Sequence, residues 1–260
     1  MSRAKTSPEA MVRAMYRELA RRCGAQHWWP AETPFEVVVG AILTQNTSWT
    51  NVERALARLR GAQVLDIEGI RGIPLRQLEE LIRSSGYYRQ KAERLKRFVE
   101  FVDERYGGSL EQMLNAPVTQ LRAELLPLKG IGPETADAIL LYAANREVFV
   151  VDAYARRILE RHGVVPGNAK YDQVRQLVEV ALEHQKVLPR RDLSEPSLQK
   201  HYAHDPSTVS TATRSLTAQV YNEMHGLLVQ IGKRYCHRQE PKCMDCPLEK
   251  FLPDSMPPRR

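Results

Sequence analysis

Helical periodicity along almost the whole chain is the feature that most restricts its fold. Apolar residues recur every three to four positions, whereas no segment shows the alternation of a half-buried strand. The connecting stretches, such as EGIRGIP and GVVPGNAKY, carry glycine or proline, which interrupt helices. The periodicity predicts helices at residues 8–22, 34–43, 51–60, 75–84, 89–106, 118–126, 134–144, 153–162, 172–184 and 218–235. The predicted fold class is therefore all-α.

Two helix starts carry clear capping signals. The tripeptide SPE at residues 7–9 supplies an N-cap serine, a first-turn proline and an acidic first turn. The segment TPFE at residues 33–36 predicts a capping box with proline at the first helical position. Because of this cap and the length of the run, residues 35–43 are predicted to be a buried helix despite their valines. Residues 189–214, rich in Ser, Thr, Arg and Pro, are predicted to be an exposed insertion.

Composition limits the class of protein. The 260 residues are 43% hydrophobic, which is enough for a core in one large domain or two interlocked ones. The net charge of +7 indicates a polyanionic partner, although a merely basic surface has the same charge. No apolar stretch reaches the roughly 20 residues needed to span a bilayer, and the N-terminus MSRAKTSPEA lacks the apolar core of a signal peptide. We expect an intracellular monomer without a membrane partner, whose four cysteines are reduced.

The segment LKGIG at residues 128–132 joins two predicted helices. Gly130 and Gly132 let the backbone turn tightly and approach another molecule closely. The turn ends at a helix N-terminus with Pro133 in its first position, where N–H groups and the helix dipole attract an anion. The pattern predicts a helix–hairpin–helix that holds a DNA phosphate through Lys129, Gly130, Ile131 and Gly132. A tight turn without a ligand is the alternative for any single Gly-x-Gly.

Several ordered motifs resemble one family over most of the chain. The motifs are LKGIGPETADAIL, VFVVDAYARRI, ILTQNTSW, SSGYYRQKAERLK, HGLLVQIGKRYC and HRQEPKCMDC. Together they resemble the helix–hairpin–helix DNA glycosylases of base excision, which form the endonuclease III superfamily. The resemblance implies an endonuclease III-like fold and double-stranded DNA with damaged bases as the partner. No counterpart of residues 189–214 can be placed.

The resemblance makes Asp152 the catalytic residue. Breaking an N-glycosidic bond develops positive charge on the sugar, and a carboxylate near C1′ stabilises that charge and orients water. The alternative is that Asp152 only caps the predicted helix that follows it, and both roles are compatible. Bifunctional family members carry a lysine where this chain has Glu134, and that lysine forms a Schiff base. We therefore predict base removal without AP lyase activity. Glu134 is either a first-turn carboxylate favoured by the helix dipole or a residue of the base pocket.

Tryptophans suggest which base is removed. The family's adenine-mismatch branch places a catalytic glutamate where this chain has Ala41, which argues against that activity. The segments HWWPAETPFE and QNTSWTNV, with glutamate replacing lysine, resemble the 3-methyladenine glycosylases of the superfamily. Aromatic faces hold a cationic alkylated purine well. The predicted base pocket comprises Trp28, Trp29, Trp49 and Glu134, although Trp29 is expected to point away and all three tryptophans have a core role as the alternative.

The resemblance also assigns residues to base flipping. Gln45 is implied to fill the gap in the helix, and Tyr87 to wedge beside the opposite base. Ordinary packing is the alternative for Tyr87 and its neighbour Tyr88.

Three of the four cysteines lie in a C-terminal loop at residues 236–246, with the spacing C-x6-C-x2-C: Cys236, Cys243 and Cys246. The family's iron–sulfur pattern adds a fourth cysteine where this chain has Leu252. We expect a [4Fe–4S] cluster with another fourth ligand, for which Asp254 or solvent is a candidate. Zinc held by the cysteines and His237, or no metal at all, are the alternatives. Basic residues around the loop are expected to contact phosphate, with a solvated basic tail as the alternative.

These expectations combine into an architecture of two interlocked helical lobes. Residues 33–137 are predicted to form a barrel lobe that ends in the helix–hairpin–helix. Residues 1–32 and 138–260 are predicted to form a discontinuous lobe, with DNA across the cleft between the two. In a prokaryote such a protein would be cytoplasmic and nucleoid-associated. Two rival functions remain open, namely a glycosylase for oxidised or deaminated bases and a non-catalytic DNA-binding scaffold.

Overall fold

The computed structural model describes residues 7–189 and 204–253, and these ranges contain helices and no strand. The predicted all-α, endonuclease III-like fold is confirmed. None of the described helices is long and apolar enough to cross a bilayer. The α-helices in chain order are α1 Pro8–Cys23, α2 Pro34–Leu43, α3 Trp49–Gly61, α4 Ile67–Gly72, α5 Leu75–Leu81, α6 Tyr88–Tyr106, α7 Leu110–Asn115, α8 Val118–Leu125, α9 Pro133–Ala138, α10 Ala153–Arg161, α11 Tyr171–Leu182 and α12 Leu216–Arg234.

The chain divides into two compact units. The central unit is Ala31–Arg146, and the terminal unit combines Met1–Pro30 with Glu147–Arg260. The α9 helix continues as a π-helical turn, Ile139–Ala143, so the division after Arg146 follows the end of a continuous helical segment. A boundary at residue 137, the predicted end of the barrel lobe, would cut that segment. The boundary between the two units therefore lies at residue 146, whereas the boundary between the predicted lobes is at residue 137. The functional roles of the lobes stay a prediction.

The central unit is built around α2. Every residue of this helix after Pro34 is buried, and it packs against α3, α6, α9 and the π-helical turn. Thr33 Oγ1 accepts a hydrogen bond from Glu36 N at 3.1 Å, as predicted for the cap. The reciprocal half of the capping box is wrong, because Glu36 Oε2 accepts from Glu32 N at 2.9 Å. The other carboxylate oxygen of Glu36 pairs with Arg60, which explains how this acidic side chain can be buried.

The terminal unit is built around α12. This helix is buried without interruption from residue 220 to residue 232 and packs against α1, α10 and α11. A helix buried on all sides shows no amphipathic stripe, so its sequence does not reveal which neighbour each face contacts.

The segment predicted to be an exposed insertion is partly packed. Ser207, Val209 and Ser210 are buried, and Ser207 Oγ donates to the carbonyl oxygen of Trp29 at 3.2 Å. The prediction of exposure is therefore wrong for these three residues, whereas Asp205, Pro206, Thr208, Thr211 and Thr213 are exposed. Ser and Thr hydroxyls satisfy the main chain of this segment locally, so its polar composition does not prevent burial. Residues 190–203 of the predicted insertion lie outside the described residues.

Candidate active site

The glycine turn joins α8 to α9 as the predicted helix–hairpin–helix. Arg122 on α8 donates from Nε and Nη2 to the two carboxylate oxygens of Asp137 on α9, at 2.7 and 3.2 Å. Asp137 is fully buried, so its charge depends on this bidentate pairing. The ion pair therefore fixes the two helices of the hairpin relative to each other.

The structure explains why glycine occupies position 130 of the hairpin, but it gives no such reason at position 132. Gly130 has φ +91°, and a Cβ built there would lie 2.1 Å from Nε of Arg94, so both conformation and space require glycine. Gly132 has φ −91°, and a Cβ there would meet nothing within 4 Å. Its small size is therefore not needed by the described residues themselves. Lys129 and Gly132 are exposed, whereas Ile131 is buried and anchors the turn.

Gln45 lies in the turn after α2 and contacts the hairpin directly. Its Nε2 donates to the carbonyl oxygen of Gly130 at 2.8 Å and to Oγ1 of Thr135 at 3.0 Å. Arg94 donates to the amide oxygen of the same side chain. The structure therefore brings together two predicted DNA-binding elements that are 85 positions apart in the chain.

Tyr87 immediately precedes α6 and is 67% exposed, the highest exposure among the large hydrophobic residues described. Its φ of +45° is unusual for a residue with a Cβ, so the surrounding chain holds the backbone in a costly conformation. The next ring, Tyr88, is flanked by the guanidinium groups of Arg83 and Arg89 at 5.8 and 5.9 Å from its centroid. The tip of this loop thus offers an exposed aromatic side chain beside positive charges.

Glu134 lies in the first turn of α9 and is exposed. A carboxylate at this position interacts favourably with the positive end of the helix dipole, whatever else it contacts. It carries no amine, and the nearby Lys129 is an exposed residue of the turn that precedes the helix.

Asp152 is the N-cap of α10, as the alternative interpretation of the sequence predicted. Its Oδ1 accepts a hydrogen bond from Ala155 N at 2.7 Å, which fixes the carboxylate orientation. Its Oδ2 lies 3.8 Å from Nε2 of His225, on the buried face of α12. The Asp152 side chain is only 15% exposed. One oxygen therefore has a structural role, and the other faces an imidazole.

His225 is a residue that the sequence analysis missed. Burial lowers its pKa below the usual value of 6.5, and the opposing effect of Asp152 is smaller. The imidazole is therefore neutral at pH 7. Its ring also lies 6.4 Å from the rings of Trp28 and Phe149, so it connects the carboxylate with the tryptophan pair. Because α12 is buried on all sides, no periodic signal in the sequence distinguishes this histidine.

Trp28 and Trp29 lie together in the terminal unit. Their ring centroids are 5.3 Å apart, and the side chains are 8% and 3% exposed. Because the two rings lie against each other, Trp29 does not point away from Trp28 as it would in an extended pair. The Trp28 ring also contacts the ring of His204 at 5.2 Å and the ammonium of Lys233 at 5.6 Å. Trp49 begins α3 in the central unit and is half-buried.

Comparison with known proteins identifies the family. A model of the HhH-GPD superfamily of base excision DNA repair proteins matches residues 39–184. This chain belongs to the HhH-GPD superfamily. A provisionally named DNA repair glycosylase of Methanocaldococcus jannaschii is 42% identical to it over 242 residues, which are 93% of this chain and 95% of that protein. Endonuclease III of Thermotoga maritima is 28% identical over 237 residues, which are 91% and 89% of the two chains.

Two solved structures have the same fold as this HhH-GPD protein. A 3-methyladenine DNA glycosylase of H. pylori bound to 1,N6-ethenoadenine has a TM-score of 0.67 and 30% identity, covering 88% of this chain and 98% of its own. Endonuclease III in a non-covalent DNA complex has a TM-score of 0.65 and covers 96% of both chains. Its identity of 21% supports the fold alone.

A [4Fe–4S] cluster normally takes four thiolates, and the cysteine loop of this HhH-GPD protein carries three cysteines. Cys236, Cys243 and Cys246 are buried and line one cavity, whose wall also includes Leu252 at the position of the family's fourth cysteine. Arg161 Nη1 donates to Cys236 Sγ at 3.0 Å. Within residues 7–189 and 204–253, no group of three His, Cys, Asp or Glu side chains is arranged to hold a metal ion. The described residues therefore do not fit the four-thiolate set.

The structure describes only one of the two other candidate ligands of the cysteine loop. Asp254, the candidate fourth ligand, lies outside the described residues. His237 follows Cys236 directly, but the absence of a metal-holding group among the described side chains applies to the zinc set too. No reaction step is assigned to a metal.

Proposed function

We propose that this protein is a monofunctional DNA glycosylase that hydrolyses the N-glycosidic bond of damaged purines, with alkylated purines of the 3-methyladenine type as substrates. The observation that supports this most directly is the Asp152 carboxylate, with Oδ1 fixed by the N-cap hydrogen bond and Oδ2 directed towards a neutral, buried His225. Membership of a family of base excision repair proteins supplies the reaction class. The 30% identity to a 3-methyladenine glycosylase supports the substrate class.

The proposed reaction uses Asp152 twice. As the bond between C1′ and the base nitrogen breaks, its electron pair leaves with the base, and positive charge develops on the sugar. The carboxylate stabilises this charge and then accepts a proton as water forms the new C1′–O bond. The products are a free base and an abasic site. A carboxylate whose position is already fixed by α10 needs little rearrangement during the reaction.

The residue at position 134 determines what happens after base release. A Schiff base with C1′ requires an amine, and a glutamate side chain cannot form one. Lys129 is exposed at the hairpin, where its ammonium suits a phosphate better than the sugar carbon. The protein is therefore proposed to leave the strand intact at the abasic site.

Base flipping is proposed to use two loops of the central unit. Tyr87 is exposed at a loop tip and suits a wedge beside the opposite base, while Gln45 is proposed to fill the vacated space. In the structure Gln45 is held by Gly130, Thr135 and Arg94, so filling the gap requires those hydrogen bonds to be exchanged.

One observation favours a second substrate class. The ammonium of Lys233 already lies over the Trp28 ring, at 5.6 Å from its centroid. A cationic base stacked on the same ring would be repelled by this charge, whereas a neutral oxidised or deaminated base would not. The alkylpurine proposal therefore depends more on Trp49 than on Trp28.

The proposed function is tested by mass analysis of the bases released from methylated, oxidised and deaminated duplex DNA. We expect 3-methyladenine to be released fastest, no covalent complex on borohydride treatment, and strand cleavage only after alkali. Faster release of a neutral lesion would select the second substrate class. A borohydride-trapped complex would overturn the assignment as monofunctional. No release from any substrate, with DNA binding intact, would support a non-catalytic scaffold.

The cofactor expected from the resemblance has its own test. Brown protein with about four irons per chain would support the cluster, with its fourth ligand from outside the described set. Colourless protein with one zinc would support the cysteine–histidine alternative. Colourless protein without metal would mean that the three thiols pack in the cavity with Leu252 without a metal ion.

A further inference from the structure

Lys91 on α6 is a buried lysine that joins two loops of the central unit. Its side chain is among the largest that are fully buried, and the residue is 1% exposed. The ammonium donates to the carbonyl oxygen of Leu43 at 2.8 Å and to that of Ser85 at 2.6 Å. Because both oxygens accept from the same nitrogen, Lys91 holds the carbonyl groups of Leu43 and Ser85 close together.

Each of these carbonyl groups ends a helical segment. Leu43 is the last residue of α2, where carbonyl oxygens lack a partner within the helix, and the chain continues directly into the turn that carries Gln45. Ser85 ends the short 3₁₀ turn Arg83–Ser85, and the chain continues through Gly86 to Tyr87. Both loops contain a residue with a Cβ at positive φ, namely Asn46 and Tyr87. Such backbones persist only where surrounding contacts hold them.

Lys91 keeps its charge at this position despite the cost of burial. Burial lowers its pKa to about 8, with a smaller contribution from the nearby positive charge of Arg94. The group is therefore predominantly charged at pH 7, and a cation at the C-terminal end of a helix is favoured by the helix dipole. An ammonium can satisfy two carbonyl oxygens at once, which an apolar side chain of the same length cannot do.

We propose that Lys91 is a positioning residue that holds the Gln45 loop and the Tyr87 loop at the spacing needed for both to enter DNA. The inference rests on the proposed function, because it assigns the loops to base flipping. It adds that the two insertions are mechanically coupled through one ammonium. Loss of Lys91 is expected to impair both loops together, although neither Gln45 nor Tyr87 is changed.

The chain offers a matched control in Lys96 on the same helix. Its ammonium also bridges two main-chain carbonyl oxygens, those of Arg71 at 2.9 Å and Ile73 at 2.5 Å. The Arg71 carbonyl belongs to the last turn of α4 and Ile73 follows that helix directly, and neither segment carries a proposed insertion residue. Lys91→Met and Lys96→Met therefore each remove an ammonium that bridges two carbonyl oxygens, although Lys96 is only half-buried.

The test measures binding of each variant to an undamaged duplex and to a duplex containing a tetrahydrofuran abasic analogue. We expect Lys91→Met to reduce the preference for the abasic duplex at least tenfold, while binding to undamaged DNA changes less than threefold because phosphate contacts dominate it. Lys96→Met should retain the preference. Hydrogen exchange should increase in peptides covering both residues 44–47 and 85–88 in Lys91→Met only.

Several outcomes would overturn the inference. An unchanged abasic preference in Lys91→Met, an equal loss in both variants, or faster exchange in only one of the two loops would each do so. If Lys91→Met does not fold, Lys91→Gln is measured instead, since its amide is neutral and ends one bond short of the position of Nζ, and the same loss is expected. The proposed function fails separately, when the wild-type protein releases no base from any damaged DNA.

Discussion

The two units of this protein differ in how their proposed functional groups are fixed. The central unit carries the hairpin, Gln45 and Tyr87, and it uses two positively charged side chains, Lys91 and Arg122, to hold loops and helices. The terminal unit carries Asp152, the tryptophan pair and all seven histidines of the chain, none of which lies in the central unit. The proposed DNA-contacting loops are therefore held by charged side chains, whereas the proposed catalytic carboxylate faces a buried, neutral imidazole.

The largest expected effect is on base release, when the N-cap aspartate of α10 in the terminal unit is replaced by asparagine. Asp152→Asn should retain DNA affinity and the fold, because asparagine is as good an N-cap as aspartate. Base release should fall by about 10²-fold or more, because the amide neither stabilises the sugar cation nor accepts a proton. Single-turnover release of 3-methyladenine measures this loss.

Asp66→Asn is the control for this prediction. Asp66 caps α4 in the central unit, where its Oδ1 accepts from Gly69 N at 2.6 Å. Asp66 shares the N-cap role of Asp152 but has no proposed role in the reaction. The Asp66→Asn variant should therefore release base at the wild-type rate. Turnover at the wild-type rate by Asp152→Asn would show that Asp152 has no role in the reaction. It would also contradict the proposed division of roles between the two units.

Sequence reasoning succeeded where the signal is local. The start of α2 after Thr33 and the hairpin before Pro133 follow from a few adjacent residues whose conformational preferences are strong. The signal for Lys91 was also present, because it lies on the same helical stripe as the buried Leu95, Phe98 and Val102. A lysine on an apolar stripe indicates a buried cation, but the partners of its ammonium cannot be inferred from the spacing.

The rest of the site depends on contacts between distant segments. The approach of His225 to Asp152 arises from the packing of α12 against α10, and a helix buried on all sides gives no orientation from its sequence. Lys233 over Trp28 is likewise a contact between the first and last parts of the chain. For the same reason, the cysteine spacing identifies three thiols that share a cavity but does not identify a fourth ligand.

A smaller effect compares the tryptophans of the two units. Trp49→Ala in the central unit should lower excision of 3-methyladenine about 10- to 100-fold, because stacking on a base contributes about 1–3 kcal/mol. Trp49→Phe should recover part of this loss. Trp28→Ala should also lower excision and, in addition, lower the melting temperature more, because this side chain is 8% exposed and a buried Trp→Ala change costs about 3–5 kcal/mol.

The control for the tryptophan comparison is excision of an uncharged base such as hypoxanthine, measured together with thermal stability. A pocket role predicts a loss that depends on the base and little change in binding to undamaged DNA. If Trp49→Ala lowers both excisions equally and melts early, the tryptophan is a packing residue, and the alkylpurine proposal loses its main physical support.

The smallest expected effect is a difference in the acid sensitivity of the two units. Burial lowers the pKa of His225 and His204 below 6.5, although Asp152 opposes this effect for His225 and Asp205 opposes it for His204. Lys233 lowers the pKa of both. The unfolded chain therefore takes up protons near pH 6.5 while the folded terminal unit does not. Stability that is fully present above pH 6.5 should be lost as the pH falls towards the lowered folded values.

The central unit should respond in a different pH range. It contains no histidine. The pKa of its buried Lys91 is lowered to about 8, so the contribution of this group to the free energy of unfolding increases as the pH rises from about 8 towards 10.5, the pKa of lysine in the unfolded chain. Hydrogen exchange, corrected for its intrinsic dependence on pH, should show protection falling between pH 7 and pH 5.5 in peptides from Leu216–Arg234 more than in peptides from Tyr88–Tyr106. His225→Phe should reduce that fall, because it removes one of the titrating groups and retains a ring of similar size. Equal losses of protection in both helices, unaffected by His225→Phe, would show that the buried imidazoles do not set the acid sensitivity of the terminal unit. The difference between the two units in their buried titratable groups would then have no effect on stability in this pH range.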